Sequence, residues 1–354
     1  MKRKGLFITV LISGIILCVF SASFSFSQEE QKTTVIIPPQ VKAIFQEGAT
    51  SREARPDIPI LIANSLYLPA GQQNLHAIVV FKIKNVDLGF APPAVVPETV
   101  TQEEQPAPVN LIAENYVFLQ FNKLENDMLG ELAKEVYIPM RVEENSAAYD
   151  PEQEGTYTTG YPLPPGNYLL SLAVTSRDFQ KIGTQYVEIN LPDPLSFADT
   201  IDTTPIIFAK NVKQVATPET TAEIHEDFFS YSILQIEPNL DHIFAPQDNL
   251  DIFFFIFGAQ ANPQGQSDIE VHYEVFQGDE LVINYAIQKY ESPLVSQPLP
   301  MKKTVLVRTT KGTETSESRE QRNLEAGSYT LSITIKDNIS TKTVKKTIEF
   351  EVTG

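Results

Sequence analysis

The chain has 354 residues, a formal charge of −18, one cysteine and no tryptophan. The length suits two or three domains, and the acidic balance excludes nucleic acid and anionic lipid surfaces as general partners. The lone Cys18 lies in the leader, so the exported chain would carry no disulfide and no thiolate chemistry.

Residues 1–27 read as a signal peptide. Lys2, Arg3 and Lys4 precede an uncharged apolar run from Gly5 to Phe20, and Ser25-Phe26-Ser27 offers small residues for cleavage before Gln28. Loss of the three basic residues takes the charge to −21. The expectation is an exported protein, periplasmic or extracellular, with no integral membrane segment after cleavage. The uncharged stretch to Phe26 also has the length of a retained anchor.

Residues 28–55 read as a flexible N-terminal segment or an edge strand, with Val35-Ile36-Ile37 before Pro38-Pro39. A first β-sandwich is expected over 56–194. Ile58 to Ile62 is a candidate edge strand, Leu66 to Gln73 a turn, and Leu75 to Ile83 a strong strand. Phe90 to Val109, rich in proline and acids, reads as an inserted loop. Val117 to Phe121 is a strand. Leu124 to Met140 reads as strand–turn–strand, with a short helix as the alternative. Residues 195–227 are expected to link to a second sandwich over 228–354. There Asp268 to Phe276 alternates cleanly, Gln277-Gly-Asp-Glu280 is a hairpin turn, Thr304 to Thr309 is a strand and Lys311 to Arg322 a charged loop.

The organising feature is a repeat. Leu163-Pro-Pro-Gly-Asn-Tyr-Leu-Leu-Ser-Leu-Ala-Val174 returns 161 residues later as Leu324-Glu-Ala-Gly-Ser-Tyr-Thr-Leu-Ser-Ile-Thr-Ile335. Each is a glycine turn, a tyrosine and a period-two strand, the mark of a half-buried antiparallel strand. The expected fold is therefore all-β: two tandem antiparallel immunoglobulin-like sandwiches. Tyr168 and Tyr329 stand where a tyrosine corner would tie a loop to the sheet.

The Leu-x-x-Gly-x-Tyr strand and the final Ile348-Glu-Phe-Glu-Val352 strand resemble bacterial extracytoplasmic immunoglobulin-like or fibronectin-III-like repeats. Ile236-Glu-Pro-Asn and Phe244-Ala-Pro-Gln-Asp-Asn-Leu250 are similar to repeats in secreted proteins of the GWxTD-domain group, although the Gly-Trp-x-Thr-Asp segment is absent. The resemblance implies the sandwich fold and transfers no catalytic residue.

No phosphate loop, nucleophile elbow or zinc-protease helix occurs. His76 and His272 fall on the outward parity of their strands. His225-Glu226-Asp227 is the densest group of possible metal ligands, but adjacent loop residues rarely converge on one centre. Asp199 with Asp202, and Asp248 with Asp251, leave Ca²⁺ at a domain junction open. No catalytic, cofactor or metal residue is assigned.

Ile252-Phe-Phe-Phe-Ile-Phe257 is apolar on both faces. Ile252, Phe254 and Ile256 should join Leu250 in the core. Phe253, Phe255 and Phe257 need a second cover, either from within the chain or from a partner, and are the candidate interaction face. Met301 to Lys346 is locally basic, as solvated strand faces or as a dock for an acidic partner. The functional expectation is a non-catalytic binding or scaffold protein for a protein or glycan partner. A hydrolase built from scattered acids and a structural spacer are the alternatives.

Overall fold

Short runs of Val, Ile, Thr, Phe and Tyr punctuated by Gly, Asn and Pro leave strands as the main way to pair the backbone. The computed structural model describes residues 37–92, 110–311 and 314–354. It is all-β, with antiparallel sheets and one helix longer than a single turn, α1 (Pro39–Ser51).

The strands are β1 Leu61–Pro69, β2 Leu75–Lys84, β3 Asn110–Glu125, β4 Met128–Asn145, β5 Glu154–Leu163, β6 Gly166–Ser176, β7 Ile182–Leu191, β8 Asp202–Thr203, β9 Ile207–Gln214, β10 His225–Glu226 and β11 Phe229–Tyr231. They continue with β12 Leu234–Pro238, β13 Ile243–Phe244, β14 Asn249–Phe257, β15 Ile269–Gln277, β16 Glu280–Asn284, β17 Gln288–Tyr290, β18 Leu294–Pro300, β19 Lys302–Lys311, β20 Glu314–Asn323, β21 Gly327–Asp337 and β22 Thr343–Val352.

Sheet I has the order β1-β2-β5-β10 and sheet II the order β4-β3-β6-β7. Their inner faces enclose one core, with Phe81, Tyr157 and Leu163 from sheet I against Leu119, Phe121 and Leu170 from sheet II. Sheet III runs β11-β12-β9-β14-β18, and sheet IV runs β13-β22-β21-β15-β16. They enclose a second core, with Phe208, Phe254 and Val295 against Tyr273, Leu331 and Phe350. The exception to antiparallel pairing is the short parallel contact of β13 with β22.

The two tyrosine strands hold matching places. β6 pairs with β3 and β7; β21 pairs with β15 and β22. Gly166 opposes Leu191 and Gly327 opposes Val352, so the 161-residue offset runs through both hairpins. The 124–140 region is the β3–β4 hairpin, turning at Asn126-Asp127, and Gly278-Asp279 turns β15 into β16.

Several expectations are corrected. Residues 39–51 are helical rather than a loose lead-in. Pro39 occupies the first helical position, where its missing N–H costs nothing. Val41, Phe45 and Ala49 form a buried stripe at helical spacing. The helix rests on β6 and β7, where Tyr186 donates its hydroxyl to the Ile44 carbonyl at 3.2 Å. Gly48 permits this approach, because a β-carbon there would stand 1.9 Å from the Tyr186 oxygen.

Of the strand expected at 58–62 only Leu61 and Ile62 are strand; β1 starts there and runs to Pro69, so part of the expected turn at 66–73 belongs to it. The expected linker 195–227 contains β8, β9 and β10; β9 lies inside sheet III between β12 and β14. The charged stretch 311–322 is not a loop: β20 pairs with β19 from Lys302↔Asn323 to Lys311↔Glu314. Of the proline-rich loop, 93–109 lie outside the described residues, as does the leader.

Candidate functional site

Tyr168 and Tyr329 make the same contact in their two strands. Tyr168 donates its hydroxyl to the Pro164 carbonyl at 2.9 Å, and Tyr329 donates to the Glu325 carbonyl at 2.8 Å. Each bond reaches back four residues and closes the loop onto the strand. Gly166 and Gly327 carry φ of +151° and +152°, a backbone region that side chains disfavour. Burial raises the pKa of both phenols above the ordinary value. These tyrosines are structural in geometry, with their rings packed into the two cores.

The outward phenylalanines of β14 are covered by the chain itself. Leu250, Ile252, Phe254 and Ile256 enter the second core, as parity requires. Phe253 is fully buried in a seam between sheets I and III, with Leu66, Leu68, Ile78, Ile207, Phe229 and Ile236. Phe257 belongs to the first core and Phe255 packs against its edge. Phe197 stacks on Phe257, their ring centres 5.0 Å apart. The candidate interaction face is therefore an internal joint and offers no surface of three rings to a partner.

At this joint the chain crosses from sheet I to sheet III. β10 ends at Glu226 on the edge of sheet I, and β11 begins at Phe229 on the edge of sheet III. Ala222 and Ile224 anchor the preceding segment against the first core. Alternation then splits β10. His225 pairs with Thr158 and Glu226 with Tyr157, so the two side chains point to opposite faces.

On the inner side, burial raises the pKa of the Glu226 carboxyl, and the charges of Asp227 and Glu144 add to the rise. The Tyr157 hydroxyl is buried without a hydrogen-bond partner. On the outer side, His225 Nε2 lies 2.8 Å from Glu219 Oε2, and Ser230 Oγ donates to Glu219 Oε1 at 2.6 Å. Glu223 accepts from Thr221 at 3.2 Å. One ligand atom each from Glu219, Glu223 and His225 lies within 4.8 Å of the others.

The residues His225, Glu226 and Asp227 thus do not converge as a triplet. His225 instead meets acids two and six positions upstream, a grouping the sequence reading missed. A turn that returns Glu219 and Glu223 to a short β-bridge was the signal, visible only as Glu-x-x-x-Glu-x-His spacing. His76 shares the outer face of sheet I, and burial lowers its pKa to about 4, against a smaller opposing effect of the Glu219 charge. It is not the solvated strand residue expected. His272 is more open and meets the Asn284 side chain at 2.7 Å.

Two of the acids expected as Ca²⁺ candidates have partners within the chain. Asp202 pairs with Lys346, and Asp248 accepts the Ala245 N–H in its own turn. Asp251 has a buried carboxylate oxygen without a partner. Among the described residues, the 219/223/225 group is the one set of three His, Cys, Asp or Glu ligand atoms so closely placed. No helix among them is long and apolar enough to cross a membrane.

The basic region resolves into two parts. β21 and β22 belong to sheet IV, whereas β19 and β20 form a separate two-stranded arm. Residues 317–323 of the arm are exposed throughout, and residues 302–308 alternate between exposed and half-buried. At its root Leu324 N–H donates to the Met301 carbonyl at 3.2 Å. Neither a protein-family model nor a characterised protein sequence matches this chain.

Proposed function

We propose that the protein is an exported, non-catalytic scaffold that docks a protein partner at the cell envelope through the β19–β20 arm. The observation that carries this reading is the arm itself. Its ten-rung ladder stands outside all four sheets, on a body whose two cores are already closed. A two-stranded hairpin gains little from its own packing. It carries Lys302, Lys303, Arg308, Lys311, Arg319 and Arg322 against Glu314, Glu317 and Glu320, a local excess of positive charge on an acidic chain. That pattern suits electrostatic docking to an acidic surface. The resemblance to extracytoplasmic immunoglobulin-like repeats supports the same placement, and the leader supports export.

The adjacency of Met301 and Leu324 permits a clean test. Residues 302–323 are replaced by a short Gly-Ser turn in the full chain, expressed in its own host. Retained melting temperature with loss of a salt-sensitive cross-link to an envelope protein is the expected result. An unchanged cross-linking pattern overturns the docking role and favours a structural spacer. The export half is tested separately: the exported form should begin at Gln28, read by mass spectrometry of the envelope fraction.

A further inference from the structure

We propose that Glu219, Glu223 and His225 form a site for one divalent transition-metal ion, of the Zn²⁺ class, at the crossing from sheet I to sheet III. The three donors are one imidazole nitrogen and two carboxylate oxygens, mutually within 4.8 Å. Donor atoms about 2.0–2.2 Å from a common ion fall within such separations. The mixed nitrogen and oxygen set suits Zn²⁺ and its neighbours, whereas Ca²⁺ and Mg²⁺ favour oxygen alone.

The surroundings support a ligand role. Ser230, on sheet III, donates to the Glu219 oxygen that does not face His225. It fixes that carboxylate as an outer-shell partner does at a metal site. The imidazole is held by β10 pairing and by stacking on Phe228, with ring centres 4.7 Å apart, so its orientation is set by the fold. A second imidazole, His76, lies on the same face of sheet I within electrostatic reach of Glu219. It forms no hydrogen bond to the described residues. As it stands, His225 Nε2 and Glu219 Oε2 share a hydrogen bond; an ion would take its place and bring in Glu223.

The consequence would be mechanical. Glu219 already touches both sides of the crossing, His225 on sheet I and Ser230 on sheet III. An ion there would pin the 219–230 segment and stabilise the joint by mass action. This role is independent of the arm, so either proposal can fail alone.

The test is calorimetric titration of the full chain, stripped with chelator, with Zn²⁺ alone and with Ca²⁺ alone. One Zn²⁺ per chain at micromolar or tighter affinity is expected, with a melting temperature that rises with Zn²⁺ and falls again with chelator. Glu223→Gln and His225→Ala should each weaken binding at least about tenfold, while His272→Ala, on sheet IV, leaves it unchanged. Glu223 is exposed, so its variant decides the matter even where His225→Ala fails to fold. Absence of saturable Zn²⁺ binding, equal binding in Glu223→Gln, or tighter binding of Ca²⁺ than of Zn²⁺ would each overturn the assignment.

Discussion

Tyr231 donates its hydroxyl to the carbonyl of Pro69 at 2.7 Å, tying β11 of sheet III to the end of β1 in sheet I across 162 residues of sequence. The ring packs edge-on against Phe253, 6.2 Å away, in the seam between the sheets. Burial pushes the phenol's pKa from 10.0 up to about 12. Tyr231→Phe should cost about 1 kcal/mol, the usual net worth of such a bond. The neutral phenol is favoured in the fold, so its contribution is complete below pH 10 and declines as pH rises toward 12. Urea midpoints at neutral pH for the two proteins check the first claim, and equal midpoints would remove the tie from any account of the joint.

Phe253 has no exposed surface. Phe253→Ala should lower stability by about 3–5 kcal/mol, through lost burial and a cavity that two stiff sheets cannot close. A loss under about 1 kcal/mol, read by chemical denaturation, would mean the seam contributes little.

The corners can be tested in pairs. Tyr329→Phe and Tyr168→Phe should each cost about 1 kcal/mol. Gly327→Ala should cost more, about 1–3 kcal/mol, because φ of +152° strains a side-chain-bearing residue. Thermal melts that rank the tyrosine change above the glycine change would contradict the assigned geometry.

His76 makes acid a specific stress. Its folded pKa, about 4, lies below the unfolded 6.5, so the unfolded chain takes up the proton first. Stability is complete above pH 6.5 and falls as pH drops toward 4, by about 3 kcal/mol for this one group. His76→Leu should flatten that part of the profile. An identical decline between pH 6.5 and 4 in both proteins would place the acid sensitivity elsewhere.

The tyrosine strands were legible because each pairs a turn glycine with strict alternation, which marks the inward faces; β6 departs from the half-buried expectation, since Leu169, Ser171 and Ala173 on its other face are buried too, where α1 rests on the strand. The double-sided character of 252–257 was legible too, as a strand that must be covered twice. Its cover was not, since Phe253 meets Leu66 and Ile78 only after two separate sheets are built. The helix at 39–51 has Val41, Phe45 and Ala49 spaced for it, but the Pro38-Pro39 pair suits a flexible lead-in as well as the helix start that Pro39 provides. β20 carries no apolar residue in Glu314–Asn323, so no periodicity could mark it. Its extended form comes from pairing with β19. The cluster at Glu219, Glu223 and His225 depended on a loop returning upon itself, which spacing alone does not specify.

The segment Asn249–Phe257 gives successive side chains to three separate interiors. Neither half of the chain could be excised without leaving a raw apolar flank, so the two halves of the repeat are indivisible. Heating should register as a single calorimetric peak rather than two, and length variation would be confined to hairpin tips and to the arm.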